Sequence, residues 1–198
     1  MIKPKRISLI RHAESHANVG LKTSKPAEIQ LTDKGQQQAR ELAESIYEMP
    51  DIVITSPFVR TLQTAKPLLD KFPQVKHEQW PIYEFNYLSL QRCNNTAMEQ
   101  RIPWATEYWE RCNPDYCDGD GAESFSQFID RTRDTLNKLR QRPENRIIVF
   151  SHMLFISALN WGKQRDFSGK VSSADMQDFK WYLFEKTVAN CEIISYSI

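Results

Sequence analysis

Ile7-Ser8-Leu9-Ile10-Arg11-His12-Ala13-Glu14-Ser15-His16-Ala17-Asn18 is an apolar run that stops at an arginine and a histidine and continues as a short polar segment. Residues 6–10 have the length and composition of a buried strand. The polar segment after it has little to contribute to packing. A histidine there carries a lone pair able to attack phosphorus, and the adjacent guanidinium offers phosphoryl oxygens a planar fork. For a lone Arg-His pair the commoner case is a structural histidine bonded to nearby backbone, so the pair needs support from elsewhere in the chain.

Two further strands supply it. Arg146-Ile147-Ile148-Val149-Phe150-Ser151 is a second apolar run after a charged start, and it too ends in a histidine, His152. Ligands of open α/β sheets bind outside the carboxyl ends of the strands, so His12 and His152 can face one crevice although they are distant in sequence. Asp51-Ile52-Val53-Ile54-Thr55-Ser56 leads into Pro57-Phe58-Val59-Arg60-Thr61. Ser56 suits a helix N-cap and Pro57 the first helical position, which puts Arg60 in the first turn. Free N–H groups and the macrodipole already favour an anion at that end, and an arginine there makes sense beside a phosphate. The ordinary alternative for an isolated arginine is a solvated helix residue.

With 198 residues the chain reads as a single domain, 1–198, long enough for a substantial core. A formal net charge of +1 argues against general affinity for nucleic acid or an anionic membrane. No apolar run reaches membrane-spanning length, and Met1-Ile2-Lys3-Pro4-Lys5-Arg6 lacks the apolar stretch of a secretory leader, so a cytoplasmic protein is expected. Cys93, Cys112, Cys117 and Cys191 form no zinc pattern and read as reduced structural thiols, with a Cys112–Cys117 disulfide the weaker alternative.

Strands at 6–10, 51–56, 75–80 and 146–151 alternate with helices opening at Leu31-Thr32-Asp33-Lys34-Gly35, covering 57–71, and opening at Glu123-Ser124-Phe125 to run to about Gln141, and a loop spans 13–32. A short helix runs from His152 through Trp161, another covers 173–186, and Cys191–Tyr196 makes a last strand, antiparallel at the edge. This rhythm predicts an α/β three-layer sandwich: a mostly parallel central sheet with helices on both faces. The stretch 85–121 breaks it and reads as an irregular lid insertion. Its aromatics, Tyr87, Trp104, Tyr108, Trp109 and Tyr116, read as packing rather than as a base-stacking platform, because no basic residues are interleaved with them.

Arg11-His12-Ala13-Glu14-Ser15-x-x-Asn18 resembles the signature of the histidine phosphatase superfamily, in its phosphoglycerate mutase-like branch. The other matches follow in order: Leu31-Thr32-x-x-Gly35-x-x-Gln38-Ala39, Ser56-Pro57-x-x-Arg60-Thr61-x-x-Thr64-Ala65, Glu84, Gly121-x-Glu123-Ser124-Phe125 and Ser151-His152. Two positions depart from the family's usual glycine, Ala13 after the first histidine and Met153 after the second. The resemblance implies that His12 is the nucleophile and becomes phosphohistidine. Arg11, Arg60 and a protonated His152 neutralise the phosphoryl oxygens, and Ser15 and Asn18 join them in binding the substrate. Glu84 is the proton donor, with Glu14 and Glu123 as competitors, and neither metal nor cofactor is called for.

The function so implied is a metal-independent phosphatase acting on a phosphomonoester of a small molecule. Alternatives are a phosphoglycerate mutase-like phosphotransferase, a protein phosphohistidine phosphatase and, from another class, an inactive phospholigand-binding protein. The chain ends at Ile198, directly after its last expected strand, and is shorter than the mutases; this favours water as phosphoryl acceptor. Tyr87, Arg92, Arg101 and Arg111 of the insertion are candidates to meet the leaving group, an arginine doing so if the substrate has a second acidic group. The oligomeric state stays open.

Overall fold

Strand β1, Arg6–Arg11, sets both faces of the sheet. Ile7 and Leu9 enter one core and Ile10 the other, as the two-residue period of a strand requires. The computed structural model describes residues 5–163, 165 and 169–196. Residues 1–4, read above as lacking a leader, and 197–198 at the chain's end lie outside them. The strands β2 (Ile52–Thr55), β3 (Lys76–Gln79), β4 (Arg146–Ser151) and β5 (Ile193–Tyr196) complete the sheet in the order β3-β2-β4-β1-β5. Only β5 is antiparallel, and it lies at the edge beside β1. The three-layer α/β architecture expected from the sequence is the one observed.

Helices α1 (Asp33–Ser45) and α2 (Val59–Lys71) cover one face, where Leu42, Ala43, Ala65 and Leu68 pack on Ile10, Val53, Ile148 and Phe150. On the other face Ile7, Leu9, Ile52, Ile54, Ile147 and Val149 meet α5 (Phe125–Gln141), α6 (Met153–Lys163) and α7 (Ser173–Glu185). In α5 the Ser124 hydroxyl accepts from Gln127 N while the Gln127 side chain returns to Ser124 N, a reciprocal cap that fixes its start. Among the described residues no helix is long and apolar enough to cross a membrane.

Two expectations are corrected. The insertion is not irregular throughout, since it contains a short helix α3 (Leu90–Cys93) and a fourteen-residue helix α4 (Met98–Arg111). Its helical period is hidden because α4 buries only Tyr108 completely and carries Pro103 inside. Tyr87, Tyr108 and Trp109 pack with Phe85 and Phe125 in one aromatic cluster, in line with a packing role. Ser56, read as an N-cap, instead precedes Pro57 and Phe58, and α2 begins at Val59. The Ser56 hydroxyl lies against His152 and accepts from Phe58 N at 3.2 Å. Arg60 still falls in the first turn.

The four cysteines are free, Cys112 donating its thiol proton to Ser173 O and Cys117 to Ala122 O.

The N-terminus of α1 presses on the segment after His12. Thr32 caps the helix by accepting from Gly35 N at 3.0 Å, and Thr32 N donates to Glu14 O at 3.1 Å. A Cβ at Gly35 would stand 1.9 Å from Glu14 O, so only glycine permits this approach. Gly35→Ala is expected to destabilise the fold by about 1–3 kcal/mol, read as a lower urea midpoint at unchanged slope.

Candidate active site

Parallel pairing carries the signature residues to one edge of the sheet. Arg11 pairs with Ser151 in register, and His12 N donates to Ser151 O at 3.0 Å, so the residues leaving β1 and β4 emerge side by side. The His12 and His152 rings lie 5.2 Å apart. From the third strand, Ser56 N donates to Phe150 O at 3.0 Å, and α2 then turns Arg60 back over both rings.

Arg60 is 6% exposed and bonds to three elements at once. Its Nε donates to His12 Nε2 at 3.1 Å, its Nη2 to His152 Nδ1 at 3.0 Å and its Nη1 to Pro26 O at 2.6 Å. His12 Nδ1–H donates to Ala13 O at 2.7 Å, so these partners assign the tautomer with its lone pair on Nε2. His152 has the opposite arrangement: Nδ1 accepts from Arg60 and Nε2–H donates to Ser56 Oγ at 2.9 Å. With Nδ1 against the Arg60 cation this arrangement fits a neutral His152 while no phosphoryl group is bound; the protonated form expected above concerns the bound state. Burial first, and then the Arg60 charge, hold both histidines well below the usual range. Burial also lowers Arg60 to about 10.

Arg11 Nη1 donates to Val188 O at 2.6 Å, while its buried Nε has no protein partner. Asn190 Nδ2 donates to His12 O at 2.7 Å and Cys191 N to Arg11 O at 3.0 Å, so the segment before β5 holds the backbone of both residues. Ala13 N donates to Thr64 Oγ1 at 3.0 Å, and the Ala13 methyl is buried with Leu31 and Ala39. The methyl that departs from the family's glycine thus points into packing. Met153 opens α6 and packs against the main core.

Glu84 reaches the crevice from the segment after β3. Ser151 Oγ donates to Ile82 O at 2.6 Å and anchors that segment. Glu84 Oε1 accepts from Phe85 N at 3.1 Å and from Leu154 N at 3.0 Å. Burial pushes its carboxyl above the usual carboxylate range, with the Arg60 charge opposing the shift.

The competing carboxylates are occupied elsewhere. Glu14 pairs with Lys34 at 2.8 Å and accepts from Thr32, and Glu123 is gripped by Arg131. Ser15 is buried and donates its hydroxyl to Asn18 Oδ1 at 2.9 Å; it holds Asn18, which is exposed on the loop. The insertion arginines are also committed: Arg92 to Asp118 and Glu107, Arg111 to Glu107 and the Tyr116 ring, Arg101 to backbone and threonine oxygens. Reading the sequence missed Pro26, Val188 and Asn190, which act through ordinary loop carbonyls or an amide and have no motif of their own.

Residues 7–169 match the sequence profile of the histidine phosphatase superfamily, branch 1, and the chain belongs to that superfamily. It is 30% identical over 137 residues to a 2,3-bisphosphoglycerate-dependent phosphoglycerate mutase of Cutibacterium acnes, an alignment covering 63% of this chain and 53% of the mutase. It is 26% identical over 160 residues to an adenosylcobalamin/alpha-ribazole phosphatase of Salmonella typhi, covering 78% of this chain and 77% of that one. Among solved structures, the alpha-ribazole phosphatase of Shigella flexneri superposes with a TM-score of 0.70 at 23% identity, over 95% of this chain and 88% of that one. A phosphoserine phosphatase of Entamoeba histolytica in complex with 3-phosphoglyceric acid also reaches 0.70, at 19% identity over 96% and 88%. Superfamily and relatives together indicate a phosphatase or mutase enzyme.

Burial and the Arg60 charge hold His12 and His152 below the 6.5 of a free imidazole in the folded chain. On acidification below about pH 6.5 the unfolded chain binds protons at these two positions that the folded chain refuses, which lowers stability as pH drops; Glu84, raised when folded, opposes this as one group against two. Urea midpoints are expected to decline from pH 7 to pH 5, and His152→Gln is expected to flatten that decline.

Proposed function

We propose that this protein is a metal-independent phosphatase that hydrolyses a phosphomonoester of a small molecule through a phosphohistidine on His12. The observation that carries the reading is the His12 tautomer: with Nδ1–H held by Ala13 O, the Nε2 lone pair faces Arg60 in a crevice that also holds His152 and Glu84. A phosphoryl group entering there competes for the Arg60 N–H groups and frees the lone pair. Arg11 and Arg60 fork the non-bridging oxygens, and the phosphoryl charge favours a proton on His152 Nδ1, which then donates to one of these oxygens while Nε2–H keeps Ser56. Asn18, steadied by Ser15, stands on the loop bordering this segment.

In the first step His12 Nε2 forms a bond to phosphorus as the ester P–O bond breaks, and Glu84 gives its proton to the leaving oxygen, releasing the alcohol. In the second, water attacks the phosphohistidine, the P–N bond breaks, and the Glu84 carboxylate takes the proton of the water. Inorganic phosphate leaves, and His12 and Glu84 return to their starting forms. The acid role needs a carboxyl kept protonated above the ordinary carboxylate range, and the nucleophile needs an imidazole kept neutral below its own. The insertion arginines, committed to Asp118, Glu107 and neutral oxygens, support a substrate held chiefly by its phosphoryl group.

Phosphate release from p-nitrophenyl phosphate is expected to persist in EDTA and to fall by at least about a thousandfold in His12→Ala. A wild type that labels on histidine but passes the group to a sugar-acid hydroxyl, not to water, would establish the mutase reading. Glu84→Gln is expected to lose about 10²–10⁴ in the rate of alcohol release from alkyl phosphates and much less in the first-turnover burst of p-nitrophenolate, which departs without a proton; the later hydrolysis of phosphohistidine slows for both. In kcat/KM against pH, the acid limb reports His12 becoming protonated and the alkaline limb Glu84 losing its proton. Glu84→Gln is expected to abolish the alkaline limb alone.

A further inference from the structure

Arg101 stands against local preference. It is the fourth residue of α4, beside the positive end of the helix, where a cation is disfavoured. Its guanidinium meets neutral oxygens: Nε donates to Thr96 Oγ1 at 2.8 Å, and Nη2 lies 2.7 Å from Thr23 Oγ1, 3.1 Å from Thr23 O, 2.7 Å from Thr96 O and 3.2 Å from Cys93 O. Residues that break a local rule while fully hydrogen-bonded are often held in place by a tertiary requirement.

These bonds fasten the insertion to the loop that follows the His12 segment. Thr23 and Thr96 also pair through their backbones, at 3.0 and 3.3 Å, and Asn95 N donates to Ser24 Oγ at 3.2 Å. The loop is closed at its base by Ser15 and Leu31 and by His16 N donating to Gln30 O at 3.0 Å. Between base and tip it offers little apolar grip, since Val19 and Leu21 are about half exposed. Three residues beyond Thr23, Pro26 O accepts from Arg60 Nη1 at 2.6 Å. The carbonyl that aims Arg60 therefore rides on a loop whose outer end is tied down by Arg101.

We infer that Arg101 is a positioning residue: by tying Thr23 to the α3–α4 corner it holds the Pro26 carbonyl that directs the Arg60 guanidinium at the phosphoryl group. This rests on the phosphate-site reading given above. It also gives Arg101 a different task from contact with a second acidic group of the substrate.

The test is binding of inorganic phosphate, followed by calorimetry so that it does not depend on turnover, in wild type, Arg101→Ala, Arg60→Lys and the double variant. Arg101→Ala is expected to weaken phosphate binding about tenfold, and to cost little more once Arg60 is replaced, the non-additivity of two residues acting as one unit. Arg101→Lys, which cannot span both threonines with a planar fork, is expected to restore only part of the loss. If Arg101→Ala does not fold, Thr23→Val removes only the hydroxyl that Arg101 meets and is expected to show the same non-additivity in smaller measure. A lower melting temperature with unchanged phosphate affinity would overturn the proposal and leave Arg101 a structural staple. An equal loss with and without Arg60 would overturn it in favour of direct contact with the ligand. No phosphate binding by wild type would sink the phosphate-site reading and this proposal with it, whereas wild-type binding without an Arg101 effect sinks this proposal alone.

Discussion

The buried guanidinium of Arg60, bonded at once to His12, His152 and the Pro26 carbonyl, is the constraint around which the rest of the site is arranged. A planar fork with fixed donor directions can satisfy three acceptors only if all three are delivered to the right places. Strand β1 delivers one, β4 the second and a surface loop the third. A lysine has the charge but not the geometry. Holding the cation in low dielectric is costly, in keeping with its depressed value.

The same burial prepares two groups with opposite needs. Desolvation disfavours whichever form is charged, so it lowers His12 and His152 and raises Glu84 without a separate device for each. Hydrogen bonds then refine the result: Ala13 O fixes which His12 nitrogen is bare, Ser56 does the same for His152, and two backbone N–H groups hold one oxygen of Glu84. Three of these partners are backbone groups, Ala13 O, Phe85 N and Leu154 N, the last of them within α6.

Support from outside the sheet is looser and comes from two directions. The segment before β5 grips Arg11 and His12 through Val188 O and Asn190, while the loop 16–30 reaches Arg60 from the other side. The insertion is connected to the second of these through Thr23 and Thr96. Its aromatic residues pack against α5 beside the segment that carries Glu84, with Phe85 and Phe128 stacked at 4.3 Å.

Sequence alone determined the strands, because apolar runs ending in Arg11-His12, Ser56 and Ser151-His152 have only one economical arrangement in a parallel sheet. It also brought Arg11, His12 and His152 to one edge of the sheet, since a guanidinium and two imidazoles at strand ends are placed by that topology whatever the loops do. The tertiary structure decided what depends on distant partners. Ser56 became a partner for His152 instead of a cap, and Ser15 a brace for Asn18. Glu14 and Glu123 were bound by Lys34 and Arg131, and α4 formed around a single buried tyrosine. The hydrogen-bond partners of each imidazole followed too, because Arg60 and Ser56 lie far from either histidine in the chain. Those partners lie tens of residues away, and local periodicity has no access to side-chain direction across a folded crevice.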